Sequence, residues 1–239
     1  TLKPIFADGY NVKEVKINSK EVDTSKVGTY EVVYSVYDSF KNKSEVKRTV
    51  KVISKLKRAV EHATDKKGYY VGQNPNNYLM LSGMMFRIIG IDGDNVKVIA
   101  EEDISNVNYE GIEAWMDYYL DHFNEESKKL LVKNEYCNMP VEIDSIDTVK
   151  ECTSKTSSRY AYIPSADEIN RAKDESGSFM YPSTLSWTAN KNSEGNAFAT
   201  RNIMFGGVTS DQYYADKLIN NYGVRPVLTI KGSSLLKSG

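Results

Sequence analysis

Met85-Phe86-Arg87-Ile88-Ile89-Gly90-Ile91, then Asp92-Gly93-Asp94-Asn95, then Val96-Lys97-Val98-Ile99-Ala100, is a pair of apolar, β-branched runs flanking an Asp-Gly turn. The pattern predicts a β-hairpin, because glycine supplies the backbone freedom of a tight turn and the runs suit a pleated surface. Outward from it, Ile112, Trp115, Met116, Tyr119, Leu120 and Phe123 recur at three- and four-residue spacing, which predicts an amphipathic helix. Asn124 is placed to cap a second short helix ending near Leu130-Leu131. Ser165-Ala166-Asp167-Glu168, after Pro164, is a capping box that opens a further helix with Ile169 and Ala172 turned inward. Past Gly177 the chain is rich in Ser, Asn, Gly and aromatic residues up to Tyr222. Val224 to Ile230 reads as a last strand, in which Pro226 implies an edge or a bulge. Residues 68–239 are expected to form one α+β domain.

Residues 1–54 read as all-β. Thr29 to Tyr37 is dense in β-branched and aromatic residues, with Tyr30, Val32, Tyr34 and Val36 on one face. Asp38 to Asn42 supplies a turn, after which Val46, Arg48, Val50 and Val52 alternate with Lys47, Thr49 and Lys51. A sandwich of this kind takes about 100 residues, so residues 1–54 are expected to be part of one, with its first strands missing or in a preceding segment. Residues 55–67 read as a linker or short helix with a solvated basic face, Leu56, Val60 and Ala63 sharing a stripe.

Lys and Arg number 31 against 32 Asp and Glu, a net charge of −1, so no global field draws in a phosphate backbone and no nucleic-acid partner is expected. The most apolar stretch, Leu79 to Ile91, is broken by Ser82, Gly83 and Arg87, short of the about 20 apolar residues of a membrane span. Cys137, Cys152, His62 and His122 are too scattered for a zinc motif. Asp92-Gly93-Asp94-Asn95 alone does not supply the about 6–8 oxygens of a calcium site. No metal and no cofactor are expected.

A thiol hydrolase needs a cysteine activated by a histidine, and neither cysteine carries a nucleophile signature; His122 reads as a solvated residue on the polar face of its helix. Glu101-Glu102-Asp103 and Asp167-Glu168 read as a solvated strand end and helix N-terminal charges. Phe205-Gly206-Gly207-Val208 reads as a turn without phosphate-loop spacing. The chain is expected not to be an enzyme.

Two resemblances sharpen this reading. Val27-Gly28-Thr29-Tyr30, Tyr34-Ser35-Val36-Tyr37-Asp38 and Arg48-Thr49-Val50-Lys51-Val52 resemble the bacterial immunoglobulin-like repeats of Gram-positive surface proteins. Further on come Tyr70-Val71-Gly72-Gln73-Asn74-Pro75, Phe86-Arg87-Ile88-Ile89-Gly90-Ile91, Ala161-Tyr162-Ile163-Pro164-Ser165, Ser186-Trp187-Thr188 and Gly223-Val224-Arg225-Pro226-Val227-Leu228. In that order they resemble an uncharacterised domain of secreted Firmicutes proteins. The closing strand is similar to that of the C-type-lectin-like and formylglycine-generating-enzyme superfamily. Those enzymes carry paired cysteines near the chain end, and this chain has none after Cys152, so the resemblance implies the fold and not that activity.

The resemblances imply a partial immunoglobulin-like β-sandwich (1–54), a linker or short helix (55–67) and a loop-rich C-type-lectin-like domain (68–239). They imply a non-enzymatic protein of the extracellular surface or cell wall that adheres to a host or bacterial glycan or protein. The alternatives are a structural spacer or pilus-type module without its own ligand, and an unrecognised hydrolase. The candidate ligand residues are Tyr181, Trp187, Asn190, Asn196, Tyr213 and Tyr214, where rings for stacking sit beside amides for hydroxyls. An oxidising compartment also implies a Cys137–Cys152 disulfide. It would close a polar loop with few apolar residues to anchor itself, a constraint worth about 3 kcal/mol.

Overall fold

The structure is a computed structural model. It describes residues 12–234 apart from 24, 25, 27, 66, 206, 207 and 217–219; for 12, 13, 201–205 and 208–216 it describes the backbone. The chain divides into two units, residues 1–54 and 55–239. In the first, β1 (Val12–Asn18), β2 (Gly28–Asp38) and β3 (Lys43–Val52) form an antiparallel sheet in that order. Tyr30 pairs with Val50, Val32 with Arg48 and Tyr34 with Val46, so the alternation read from the sequence becomes cross-strand pairs. The β2–β3 turn is tied by Asp38, whose carboxylate accepts from the Asn42 side chain and from the amides of Asn42 and Phe40. The Asn42 side chain foremost holds that carboxyl below its ordinary value.

The second unit opens with α1 (Lys55–Ala63) and β4 (Tyr78–Leu81), followed by the hairpin β5 (Met84–Asp92) and β6 (Asn95–Ala100). Gly93 turns that hairpin at φ 57°, a left-handed conformation that glycine adopts without cost. Then come β7 (Asn106–Asn108), α2 (Ile112–Asp121), α3 (Glu125–Lys128), β8 (Leu131–Val132), β9 (Ala161–Tyr162) and α4 (Ala166–Arg171). The last elements are β10 (Ser186–Lys191), β11 (Ala197–Phe205), β12 (Val208–Asp216), β13 (Asn221–Gly223) and β14 (Val227–Ile230). Strands β4-β5-β6-β14-β8 make one sheet, with β9 also on β14, and β12-β11-β10-β13-β7 make the other. The predicted caps form: the Asn124 side chain accepts from Ser127 N, and Ser165 and Glu168 close the box on α4. The fold is mixed, mostly β with short helices. Among the described residues no helix is long and apolar enough to cross a membrane.

Three expectations change. Of the two readings of residues 55–67 the short helix forms, as α1, and its stripe docks more firmly than expected: Leu56 and Val60 join the core of the second unit, while Ala63 is exposed. Lys57 is buried, its ammonium donating to Gly93 O (2.6 Å) and the Asp94 carboxylate (3.0 Å). The turn weighed for calcium thus already holds an internal cation. Val224 to Pro226 precede the last strand, and β14 is internal, with β6 on one side and β8 and β9 on the other. Pro226 fits because it contributes its carbonyl, accepting from Ala100 N, and the ladder that needs amides starts at Val227.

Leu56 is 1% exposed. Leu56→Ala is expected to cost the second unit about 2–5 kcal/mol through lost burial and a residual cavity. Trp115 and Trp187 both lie in that unit, so urea denaturation followed by tryptophan fluorescence reads it; a cost below about 1 kcal/mol would make α1 peripheral.

Candidate functional site

The proposed ligand residues separate once the sheets are drawn. Trp187 is 0% exposed, its indole N–H donating to Val107 O (2.8 Å) and its ring packed against Tyr109 and Tyr222. Asn190 is also 0% exposed, accepting from Ala166 N (2.7 Å) and donating to Met139 O (2.9 Å). Both are corrections: β10 is interior to its sheet, so its ring and amide satisfy the core and present nothing to a ligand. Asn196 closes the β10–β11 turn, its amide bonded to the Asn192 side chain (2.9 Å). Tyr213 and Tyr214 lie in β12, where their side chains fall outside the described residues, as does the turn at Gly206-Gly207.

Tyr181 lines a cavity of about 220 Å³ with Arg87, Glu101, Glu102, Asp103 and Phe179. Glu101 is paired to Arg87 (3.3 Å), and the Asp103 carboxylate accepts from the hydroxyls of Thr184 and Ser186. Glu101 and Asp103 of that strand end are thus engaged by neighbours and half-buried, while Glu102 is exposed as expected.

Two larger clefts were not legible in the sequence. One, of about 450 Å³, is lined by Lys97, Asp167, Glu168, Arg171, Lys150, Lys155 and both cysteines. Asp167 and Glu168, expected as exposed helix charges, are buried. The Lys97 ammonium from β6 meets Glu168 at 2.8 Å, and Arg171 one turn along α4 meets Asp167. Burial alone would raise the Glu168 carboxyl; the Lys97 charge and hydrogen bond overcome it, and the carboxyl lies below its ordinary value. Burial similarly opposes the Lys97 charge, and Glu168 holds the ammonium above its ordinary value.

Cys137 and Cys152 are joined in a disulfide, as the compartment argument implies. The loop it closes is better anchored than its composition suggests: Met139, Val141 and Ile146 are buried with Cys137, Ala166 and Phe198 in a small core of their own. Asn170 fastens the loop further by donating to Ile146 O and Val149 O.

The other cleft, about 480 Å³, is lined by Tyr109 and Tyr162, whose hydroxyls meet, with Glu113, Asn138, Pro140 and Lys191 around it; the Tyr109 hydroxyl also donates to Ala189 O (3.0 Å). Asn138 and Pro140 belong to the disulfide-closed loop. Arg159 lies over the Tyr162 ring and pairs with Glu113 at 2.7 Å, and the Lys191 ammonium lies 4.6 Å from the centre of the Tyr109 ring. Burial foremost raises both phenols above their ordinary value, so they remain neutral hydroxyls at physiological pH.

Removing one member of a buried pair leaves the other charge uncompensated. Lys97→Met is expected to cost about 3–5 kcal/mol at neutral pH. The Glu168 carboxyl is depressed, so the pair's contribution is complete above 4.5 and is lost as pH falls below that value. Urea midpoints across that range read it: a cost that does not shrink in acid would assign the loss to packing.

The family model described as Bacterial surface protein, Ig-like domain matches residues 6–52. No curated protein and no solved structure matches the chain. The match covers the three-stranded unit and supports a bacterial surface protein with an Ig-like region and an extracellular or surface location.

Proposed function

We propose that this is a non-catalytic surface protein of a Gram-positive bacterium, attached at the wall, in which the Ig-like unit is a spacer. The second unit, similar to the C-type-lectin-like superfamily, presents the Tyr109–Tyr162 cleft to a glycan. The cleft carries this reading. Its volume of about 480 Å³ falls in the range of small-molecule sites. Its lining combines neutral phenols, the Asn138 amide, the Lys191 ammonium and the Glu113 carboxylate that Arg159 pairs from alongside, donors and acceptors of the kind a polyhydroxylated ligand requires. A protein ligand is the alternative occupant of the same cleft. The non-enzymatic part is supported by the pairing of both cysteines, which leaves the oxidised chain without the free thiol a cysteine hydrolase would need.

Asn138 and Glu113 are exposed, so replacing them by alanine tests the cleft without opening the core. Glycan-array screening of the full chain followed by calorimetry is expected to find a saccharide whose affinity falls about tenfold or more in the double variant, the loss of one or two well-made hydrogen bonds. Undiminished binding would move the site elsewhere, and no binding by the wild type would favour a spacer without its own ligand.

A further inference from the structure

The Cys137–Cys152 bond forms part of the wall of the 450 Å³ cleft, with Cys137 buried and Cys152 half-buried. A carboxylate oxygen of Asp167 comes within 4.8 Å of both sulfurs. Asp167 is 0% exposed and is held in place by the Ser165 hydroxyl (2.6 Å) and the Arg171 guanidinium. A disulfide that serves only to close a loop gains nothing from a neighbouring carboxylate, because neither sulfur carries a charge or a proton to exchange. A disulfide that opens and closes does gain, because one thiol must be protonated in one direction and deprotonated in the other.

We propose that Cys137–Cys152 is an exchange-active disulfide for low-molecular-weight thiols. Cys152 is the attacked sulfur, and Asp167 is the proton relay for Cys137. An incoming thiolate enters past Lys150 and Lys155 and attacks Cys152 Sγ. The S–S bond breaks, and its electron pair passes to Cys137 Sγ, which takes the proton of the Asp167 carboxyl. A second thiolate attacks the external sulfur of the mixed disulfide, releasing the external disulfide and leaving Cys152 as a thiolate; the two protons the incoming thiols gave to water on ionising return from water, one to Cys152 and one to the Asp167 carboxylate. The balance is one protein disulfide and two thiols giving two cysteine thiols and one external disulfide. In reverse, the Asp167 carboxylate takes the Cys137 proton as that sulfur attacks. The exchange is stoichiometric and goes beyond the glycan reading, on which it does not depend.

The charges around Asp167 come from every side of the cleft. Glu168 and Arg171 lie on its own helix, Lys97 and Asp92 on the β5–β6 hairpin, and Glu135, Lys150, Glu151 and Lys155 on the segments flanking the cysteines, with the Tyr69 hydroxyl opposite. Burial foremost, then the Glu168 charge, raises the Asp167 carboxyl, while Ser165, Arg171 and Lys97 oppose it. The carboxyl is thereby held above its ordinary value, within reach of both sulfurs.

The test follows reduction of the full, oxidised chain by dithiothreitol, anaerobically, with acid quenching, alkylation and intact-mass readout, from about pH 5.5 to 8.5. The native disulfide is expected to react within about tenfold of the urea-denatured chain, and Asp167→Asn to slow the native reaction about tenfold or more near neutral pH while leaving the denatured rate unchanged. Arg171→Gln, which removes the guanidinium beside Asp167, is expected to move the pH dependence of the native rate upward. Protection of the wild-type bond by more than about a thousandfold, or a folded Asp167→Asn chain within about threefold of wild type at every pH, would overturn the proposal. Should Asp167→Asn fail to fold, an Arg171→Gln profile superimposable on that of the wild type would overturn it.

Discussion

The last of the passages between the two sheets of the second unit is Gly223-Val224-Arg225-Pro226, where β13 of one sheet leads into β14 of the other around a buried cation. The Arg225 guanidinium is fully buried there, donating to Ala100 O at the end of β6 (3.0 Å) and to Met180 O (2.7 Å). Burying a guanidinium is costly unless its donors are met and opposite charge is near. Here two carbonyls meet donors, and Asp103 and Glu101 supply the charge; burial still lowers Arg225 to about 10, which leaves it a cation at neutral pH. Gly223 belongs to the same constraint, since a Cβ would come within 2.6 Å of the Asp103 carboxyl carbon. The backbone around it is threaded through both sheets: Gly223 N donates to Leu185 O, Val224 N to Ser105 O, and Ala100 N to Pro226 O.

That crossing sets where the clefts fall. Strand β13 pairs with β7 and β10, which places Trp187 between Tyr109 and Tyr222 and makes Tyr109 a wall rather than a surface ring. Strand β14 pairs with β9, fixing Tyr162 beside Tyr109 in the cleft lining, and with β6, whose Lys97 reaches Glu168 on α4. The segment 137–152 contributes to both of the larger clefts, giving Asn138 and Pro140 to one and Cys137, Lys150, Glu151 and Cys152 to the other. The proposed ligand recognition and disulfide exchange share this loop.

What the sequence made legible was local. The β5–β6 hairpin, the Asn124 cap and the Ser165 box are written in adjacent residues, and each forms. Trp187 and Asn190 misled because a ring beside an amide has the same composition in a binding face and in a satisfied core; which one it is depends on β10 being flanked on both sides, a long-range fact. Lys57 and Asp167-Glu168 misled for the same reason, since their partners Asp94, Lys97 and Arg171 declare themselves only after folding. The tyrosine cleft was invisible because its lining comes from separate stretches between residues 109 and 191.

The central structural claim is that the two sheets stand or fall together at Arg225. Native-state hydrogen exchange on the amides of Ala100, Gly223 and Val224 tests it directly. The account predicts that all three exchange only with global opening of the second unit, at the same free energy as Ile88 in β5 and Ala189 in β10. Exchange of Gly223, Val224 and Ala189 at a free energy lower than Ala100 and Ile88 by more than about 2 kcal/mol would show the sheets opening separately and would contradict it.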